Sequence, residues 1–247
     1  MAIGSKIIHF SEIDSTMNYC KKLALSGEPE GTIVSTEYQN IGRGRFDRKW
    51  ISPYGVNIQI SILLKPKIEH LPYLNMAASL AICETTEMLT NADAFIKWPN
   101  DVQVNNKKLA GILIESSLSG RNVEYSILGI GFNVNIDVET YTDIKDIATS
   151  LKNITKSTLD KNTVSEILYK RLDHYYSKVT RGESLTNQWA SKISTIGKEI
   201  TVGFPGTKRK SLSGKAESIL PDGSIQVILH DGTIFNASSG EVSISNI

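Results

Sequence analysis

The spacing of apolar residues switches repeatedly between two periods along the chain, and each switch predicts an element. Lys6–Phe10 alternates weakly and predicts a short strand. Asp14, Ser15 and Thr16 carry oxygens able to cap a helix, predicted over Thr16–Ser26 and ended by Gly27. The β-branched run within Gly31–Glu37 predicts a second strand. Asn40–Pro53 is polar and rich in arginine and glycine, which predicts a loop. Val56–Leu64, VNIQISILL, alternates at its start and predicts a strand that Lys65-Pro66 stops. His70–Thr90 has apolar residues at helical spacing and is nearly apolar all round in its middle, as expected of a helix buried against a sheet.

Short β segments follow at Ala94–Lys97, Val102–Val104, Lys108–Ser117 and Val123–Asn133, with Asn105-Asn106 suited to a hairpin turn. Thr163–Thr180 predicts an amphipathic helix carrying Ile167, Leu168, Leu172, Tyr175 and Tyr176, and a shorter helix is expected over Leu185–Ser191. From about Ile196 the texture becomes short β runs, KEITVGF, KAESILP, SIQVILH and TIFNAS, separated by the turns PGT, PDG and HDG. The expected architecture is therefore α+β: a mixed, mainly antiparallel sheet with helices over residues 1–194, then a small SH3-like β-barrel over residues 195–247. The chain shows no internal repeat and no low-complexity tract.

Composition narrows the function classes. The 247 residues are 40% hydrophobic, enough for a large packed core. Lys+Arg is 27 against Asp+Glu 26, so bulk charge gives no reason to expect nucleic acid. Cys20 and Cys83 lie far apart, outside any metal-ligand spacing, and are expected to be thiols in a reducing compartment. The N-terminus lacks the apolar stretch of a secretion signal, and no apolar run is long enough to cross a bilayer. A cytoplasmic protein is expected.

Four stretches carry candidate chemistry. Glu37–Trp50, EYQNIGRGRFDRKW, sets Arg43, Arg45 and Arg48 on a short loop made bendable by Gly42 and Gly44. Guanidinium groups match phosphate and carboxylate oxygens in bidentate geometry, so an anionic ligand could fold this self-repelling loop over itself. Taken alone, a solvated arginine-glycine loop is an equal reading. In Lys97–Asp101, KWPND, Asp101 could hold Mg²⁺ and Lys97 could neutralise phosphate, although a plain Pro-Asn turn explains that stretch on its own. Lys107–Glu115, KKLAGILIE, places Lys108 at the head of an apolar strand with Gly111 leaving room beside it. Gly129–Asn135, GIGFNVN, ends an apolar strand on Asn133, which as a turn residue needs no further role.

In that order and spacing, DST before a helix, YQNIGRGRFDRKW, KWPND, KLAGILIE and GIGFNVN resemble the biotin–protein ligases. The late GEVS and the C-terminal β texture resemble that family's small domain, so the likeness covers nearly the whole chain. The helix-turn-helix that lets some members repress transcription is not seen before the DST motif, and a ligase-only type without DNA binding is expected.

The resemblance implies ATP and biotin as substrates, Mg²⁺ as a cofactor, a biotin carboxyl carrier domain as the acceptor and a homodimer as the assembly. It implies that Ser15, Thr16 and Gln39 line the biotin pocket. Gly42, Arg43, Gly44, Arg45 and Arg48 belong to a loop that closes over biotin and its adenylate. Trp50 matches a tryptophan associated with adenine, while Trp98 is expected in the core. Lys97, Asn100, Lys108, Gly111 and Asn133 fall on the nucleotide side, with Asp101 as the metal ligand, and Arg45, Arg48 and Lys108 carry the catalytic charge.

Three departures from the family pattern stand out: Asp47 replaces a loop glycine, Met17 stands where many members have Asn or Gln, and GEVSIS lacks a following arginine. His9, His70, His174 and His230 lie outside every motif, so no histidine-based catalysis is expected. The rival readings are a lipoate or octanoate ligase or transferase of the same fold class, and a non-enzymatic nucleic-acid-binding protein.

Overall fold

A computed structural model describes residues 3–208, 210–238 and 240–244, without the side chains of Asp47 and Ile244. The large sheet contains β1 (Lys6–Phe10), β2 (Thr32–Thr36), β3 (Ile58–Leu64), β4 (Phe95–Lys97), β5 (Asp101–Val104), β6 (Lys107–Ser119) and β7 (Asn122–Phe132). Its spatial order is β1-β2-β3-β7-β6-β5-β4. Only β1 and β2 run parallel, and α1 (Thr16–Leu25) supplies the crossover between them. Every other neighbouring pair in this sheet is antiparallel, as the sequence predicts.

The two faces of the sheet have different jobs. Ile60, Ile62 and Leu64 of β3, Leu128, Ile130 and Phe132 of β7, and Ala110 and Ile112 of β6 face one buried cluster. The helices α2 (Leu71–Thr90) and α4 (Lys161–Thr180) cover that side with Leu74, Leu80, Leu168 and Leu172. On the opposite face α1 packs in a small cluster of Met17, Cys20, Val34, Leu63, Tyr125 and Ile127. Burial on both faces explains why Ile58–Leu64 is buried at every position. Both cysteines are free and buried, Cys20 on the inner face of α1 and Cys83 within α2.

Five further strands, β8 (Glu199–Gly203), β9 (Leu212–Ile219), β10 (Ile225–Leu229), β11 (Ile234–Ala237) and β12 (Glu241–Ile244), form an antiparallel sheet in the order β11-β10-β9-β8-β12. Its inward residues, among them Ile200, Val202, Ile225 and Val227, join the main core cluster. Trp98 Nε1 donates to the carbonyl of Gly223 at 3.0 Å, so the PDG turn docks on the KWPND segment. Trp98 is 2% exposed, as expected of a core residue.

The structure adds a short helix that the apolar pattern did not reveal. The short helix α3 (Leu151–Thr155) is capped by Ser150, whose Oγ accepts from the Asn153 amide. It spans barely more than a turn, too short for periodicity to register. The last helix, α5 (Thr186–Ser191), is one residue shorter than expected. Among the described residues no helix is long and apolar enough to cross a membrane.

Candidate functional site

One row of paired residues crosses all seven strands: Phe10, Thr36, Gln59, Gly131, Gly111, Asp101 and Lys97. The next row holds Ile8, Val34, Ser61, Gly129 and Leu113. Glycines 111, 129 and 131 thus leave a patch of bare backbone in the middle of the α1-covered face. A Cβ on Gly131 would sit 2.3 Å from the Trp50 ring, and one on Gly129 would sit 2.8 Å from Met17 Sδ. Here the missing side chains make a floor on which other groups lie flat. The cavity above it has a volume of about 320 Å³.

One end of this trough is closed and polar. Ser15 caps α1, its Oγ accepting from the Asn18 amide at 3.4 Å. The cap turns Thr16 inward, where its amide and hydroxyl both donate to Gln39 Oε1, at 2.8 and 3.0 Å. Gln39 Nε2 donates to Gln59 Oε1 at 2.9 Å, and Ser61 Oγ donates to Thr16 Oγ1 at 2.8 Å. Ser15, Thr16, Gln59 and Ser61 are all buried. Buried hydroxyl and amide groups joined in a chain present donors and acceptors at fixed positions. The sequence reading placed Ser15, Thr16 and Gln39 here and missed Gln59 and Ser61. Their signal lay in the alternation of IQIS, which sends two polar residues to the same side.

The arginine loop arches over the trough. Trp50 N donates to the Gly42 carbonyl at 3.0 Å and Gly44 N to the Arg48 carbonyl at 2.7 Å, closing the base of the arch. Gly42 is required by this approach, since a Cβ there would lie 2.8 Å from the Trp50 carbonyl oxygen. The arginines avoid mutual repulsion by taking separate acceptors. Arg43 Nη2 pairs with Glu115 Oε1 at 3.1 Å and donates to Asn18 Oδ1 at 3.0 Å. Arg45 Nη1 donates to Asn100 Oδ1 at 3.0 Å. Arg48 makes a bidentate pair with Glu241 of β12, Nη2 to Oε2 being 2.6 Å. Burial pushes the Arg45 guanidinium below its ordinary value; Glu241 and Asp101 oppose that shift, and Arg48 adds to it.

The opposite end carries charge. The register of β5 against β6 shifts between Val102 and Gln103, leaving an extra residue on β6 and pairing Gln103 with Lys108. The irregularity turns Lys108 to the same face as Gly111, with Nζ 3.2 Å from the place of a Gly111 Cβ. Lys108 Nζ pairs with Asp101 Oδ1 at 2.6 Å and stands 5.7 Å from the centre of the Trp50 ring. Asn100 Nδ2 donates to the Ile112 carbonyl at 2.7 Å, which aims its oxygen at Arg45. A strap running to Ser150 pairs with Lys108 through backbone bonds of 2.8 Å, bringing Ile144, Ile147 and Ala148 to the rim.

Of the residues singled out in the sequence, Gly42 and Lys97 do not line the cavity. Gly42 shapes the base of the arch, and Lys97 sits opposite Asp101 on the edge strand β4. Asn133 lines the cavity, but its amide is already used. It accepts from Asn57 Nδ2 at 3.2 Å and donates to the Thr149 carbonyl at 3.1 Å, holding the strap in place. The remaining residues named for the site, from Ser15 to Gly111, converge on the one cavity. Residues that the sequence reading left without a role there include Gly129, Gly131 and Glu241. No cluster of three or more His, Cys, Asp or Glu side chains suited to a metal exists among the described residues.

A polar closed end, a bare floor and a cationic mouth under an arginine arch, on a mainly antiparallel α+β sheet, define an enzyme of the protein-ligase class. The model of the Biotin/lipoate A/B protein ligase family matches residues 10–133, and the chain belongs to that family. It is 33% identical over 235 residues to the bifunctional ligase/repressor BirA of Bacillus spizizenii, covering 93% of this chain and 71% of that protein. It is 28% identical to the biotin–[acetyl-CoA-carboxylase] ligase of Mycobacterium tuberculosis, over 75% of this chain and 69% of that one. The solved biotin protein ligase of Aquifex aeolicus in complex with biotin and ATP superposes with a TM-score of 0.82 at 31% identity, covering 98% of this chain and 100% of that chain.

Proposed function

We infer that this chain is an ATP-dependent biotin–protein ligase. It makes biotinyl-5′-AMP and pyrophosphate from biotin and ATP, then passes biotin to a lysine of a biotin carboxyl carrier domain. The observation that carries this reading is the polarity of the trough. A ureido ring needs both donors and acceptors, and the closed end lined by Thr16, Gln39 and Ser61 offers both. A lipoyl or octanoyl chain would favour an apolar end, so the sister activity fits this cavity less well.

In the first step a biotin carboxylate oxygen bonds to the α-phosphorus. The bond from that phosphorus to the bridging oxygen breaks, and pyrophosphate leaves with the electron pair. Nucleophile and triphosphate are both anions, and the barrier is largely their repulsion. Lys108 and Arg45 oppose it from the cationic end, and Arg48 does so from the arch. The carboxylate is already ionised, so the step needs no base. Asp101 keeps one oxygen clear of its Lys108 bond and fits a Mg²⁺ brought by the phosphates, which supplies further positive charge when bound. In the second step the acceptor amine attacks the biotinyl carbonyl carbon. The bond to the phosphate oxygen breaks, AMP leaves, and the nitrogen sheds its extra proton to solvent. Enclosure under the arch protects the adenylate from water between the steps.

We further assign residues 1–194 to the catalytic unit and residues 195–247 to a small barrel that contributes Glu241. A homodimer paired through the large sheet is the expected assembly. The reading is tested by ATP–pyrophosphate exchange with Mg²⁺ and, separately, biotin, lipoate or octanoate. Exchange with biotin alone is expected. Exchange with lipoate alone moves the assignment to the sister activity, and silence with all three from folded protein refutes it.

A further inference from the structure

Two residues that touch the arginine arch have no place in the chemistry above. Asn18 stands one position beyond Met17, at the start of α1. Glu115 closes the Lys107–Glu115 run, on β6 opposite Ile127. They lie on different elements, and both reach the same nitrogen of the arginine arch. Arg43 Nη2 donates to Asn18 Oδ1 at 3.0 Å and pairs with Glu115 Oε1 at 3.1 Å. Arg43 Nε is buried and has no hydrogen-bond partner among the described residues, although Arg43 lines the cavity. The outer end of the guanidinium is therefore held while an inner donor stays unused. An unmet buried donor is costly, so it awaits an acceptor from the ligand.

Resting on the ligase reading, we propose that Asn18 and Glu115 form a positioning fork that holds Arg43, and with it the arch, over the bound adenylate. The fork acts on retention of the adenylate and leaves its formation alone. Arg43 and Glu115 are both about one-third exposed, at 34% and 39% of their side chains, so the pair adds little to global stability. It acts instead on the small free energy between closed and open arch. Loss of one partner is expected to raise the open fraction, and hence escape, by about fivefold. Because both partners act through one guanidinium, losing both costs less than the product of the separate effects.

The test uses the full chain with biotin, ATP, Mg²⁺ and pyrophosphatase, without acceptor, and measures release of biotinyl-5′-AMP. Biotin-dependent pyrophosphate exchange is measured separately, without pyrophosphatase. The variants are Glu115→Gln, which keeps the shape and removes the charge, Asn18→Ala, and the double variant. Each single change is expected to raise release about fivefold, with exchange kcat within about twofold of the parent. Release from the parent should rise with salt and lose most of that dependence in Glu115→Gln, which a merely structural role would not produce. Unchanged release in both single variants, or exchange falling in step with retention, overturns the fork. If the parent itself shows no biotin-dependent exchange, the ligase reading fails and the fork falls with it. Parent exchange with unaltered release in the variants removes the fork alone.

Discussion

The two faces of the large sheet are built from the same strands and obey opposite rules. On the helix-covered face, Ile60, Ile130 and Ile112 are neighbours in one paired row, and each fills space. One residue along each strand, the α1 face carries Gln59, Gly131 and Gly111, which leave space or line it. Strand alternation makes this possible, because successive side chains point to opposite sides. A single register therefore supports both a core and a site. Stability and ligand recognition should accordingly separate by residue parity.

The sharpest way to break that comparison is to change adjacent layers and ask which property fails. Phe132 is fully buried on the core face. Phe132→Ala is expected to cost about 3–5 kcal/mol of unfolding free energy, read by denaturant titration, while exchange per folded molecule stays near that of the parent. Lys108→Ala is the converse. It should lower the adenylation rate about 10²–10³-fold, with a melting temperature close to the parent's. A Phe132→Ala protein that loses activity but not stability, or a Lys108→Ala protein that does the reverse, would remove the division between the faces.

A subtler change tests the floor itself. Gly131 does not have the positive φ that only glycine tolerates comfortably, so alanine there is not strained by its backbone. Its Cβ would nonetheless fall 2.3 Å from the Trp50 ring, and the indole must lift. Gly131→Ala is expected to weaken ligand binding about tenfold, roughly 1.4 kcal/mol by calorimetry, with little change in the unfolding midpoint. Unaltered affinity would mean that the indole has room elsewhere and that the bare floor serves packing only.

Legibility in the sequence follows the same division. The core face announces itself, because apolar residues at period 2 in VNIQISILL and at helical spacing in His70–Thr90 need only local neighbours to be read. The candidate site was marked by short motifs, and Ser15, Thr16 and Gln39 all line the one cavity. Three physical details were not visible. The register shift that turns Lys108 inward depends on pairing between β5 and β6. The acceptors of Arg43 and Arg48, Glu115 and Glu241, lie far along the chain and meet the loop only after folding. Asn133 looks free in sequence, yet Asn57 and the Thr149 carbonyl use up its amide.

The smallest expected effect concerns the two thiols, one under each face. Burial pushes both Cys20 and Cys83 up to about 12, with Glu87 adding to the shift at Cys83 and Lys192 opposing it. At pH 8 only about one molecule in 10⁴ then carries a thiolate at either position, so a thiol reagent must wait for local opening. The two sites open by different routes. Cys83 lies within the main core between α2 and the sheet, and exposing it approaches global unfolding. Cys20 is carried on the inner face of α1 itself, packed on Val34, Leu63 and Ile127, and the first turn of that helix also supplies the Thr16 bonds of the polar end. Labelling of Cys20 is therefore expected to be several-fold faster than that of Cys83. Biotin should slow Cys20 labelling, because a ligand held by Thr16 and Gln39 stabilises the docked helix that carries the thiol. Equal labelling rates with and without biotin would show that α1 opens independently of the pocket. The thin face would then be a lid only in appearance, and retention of the ligand would rest on the arginine arch alone.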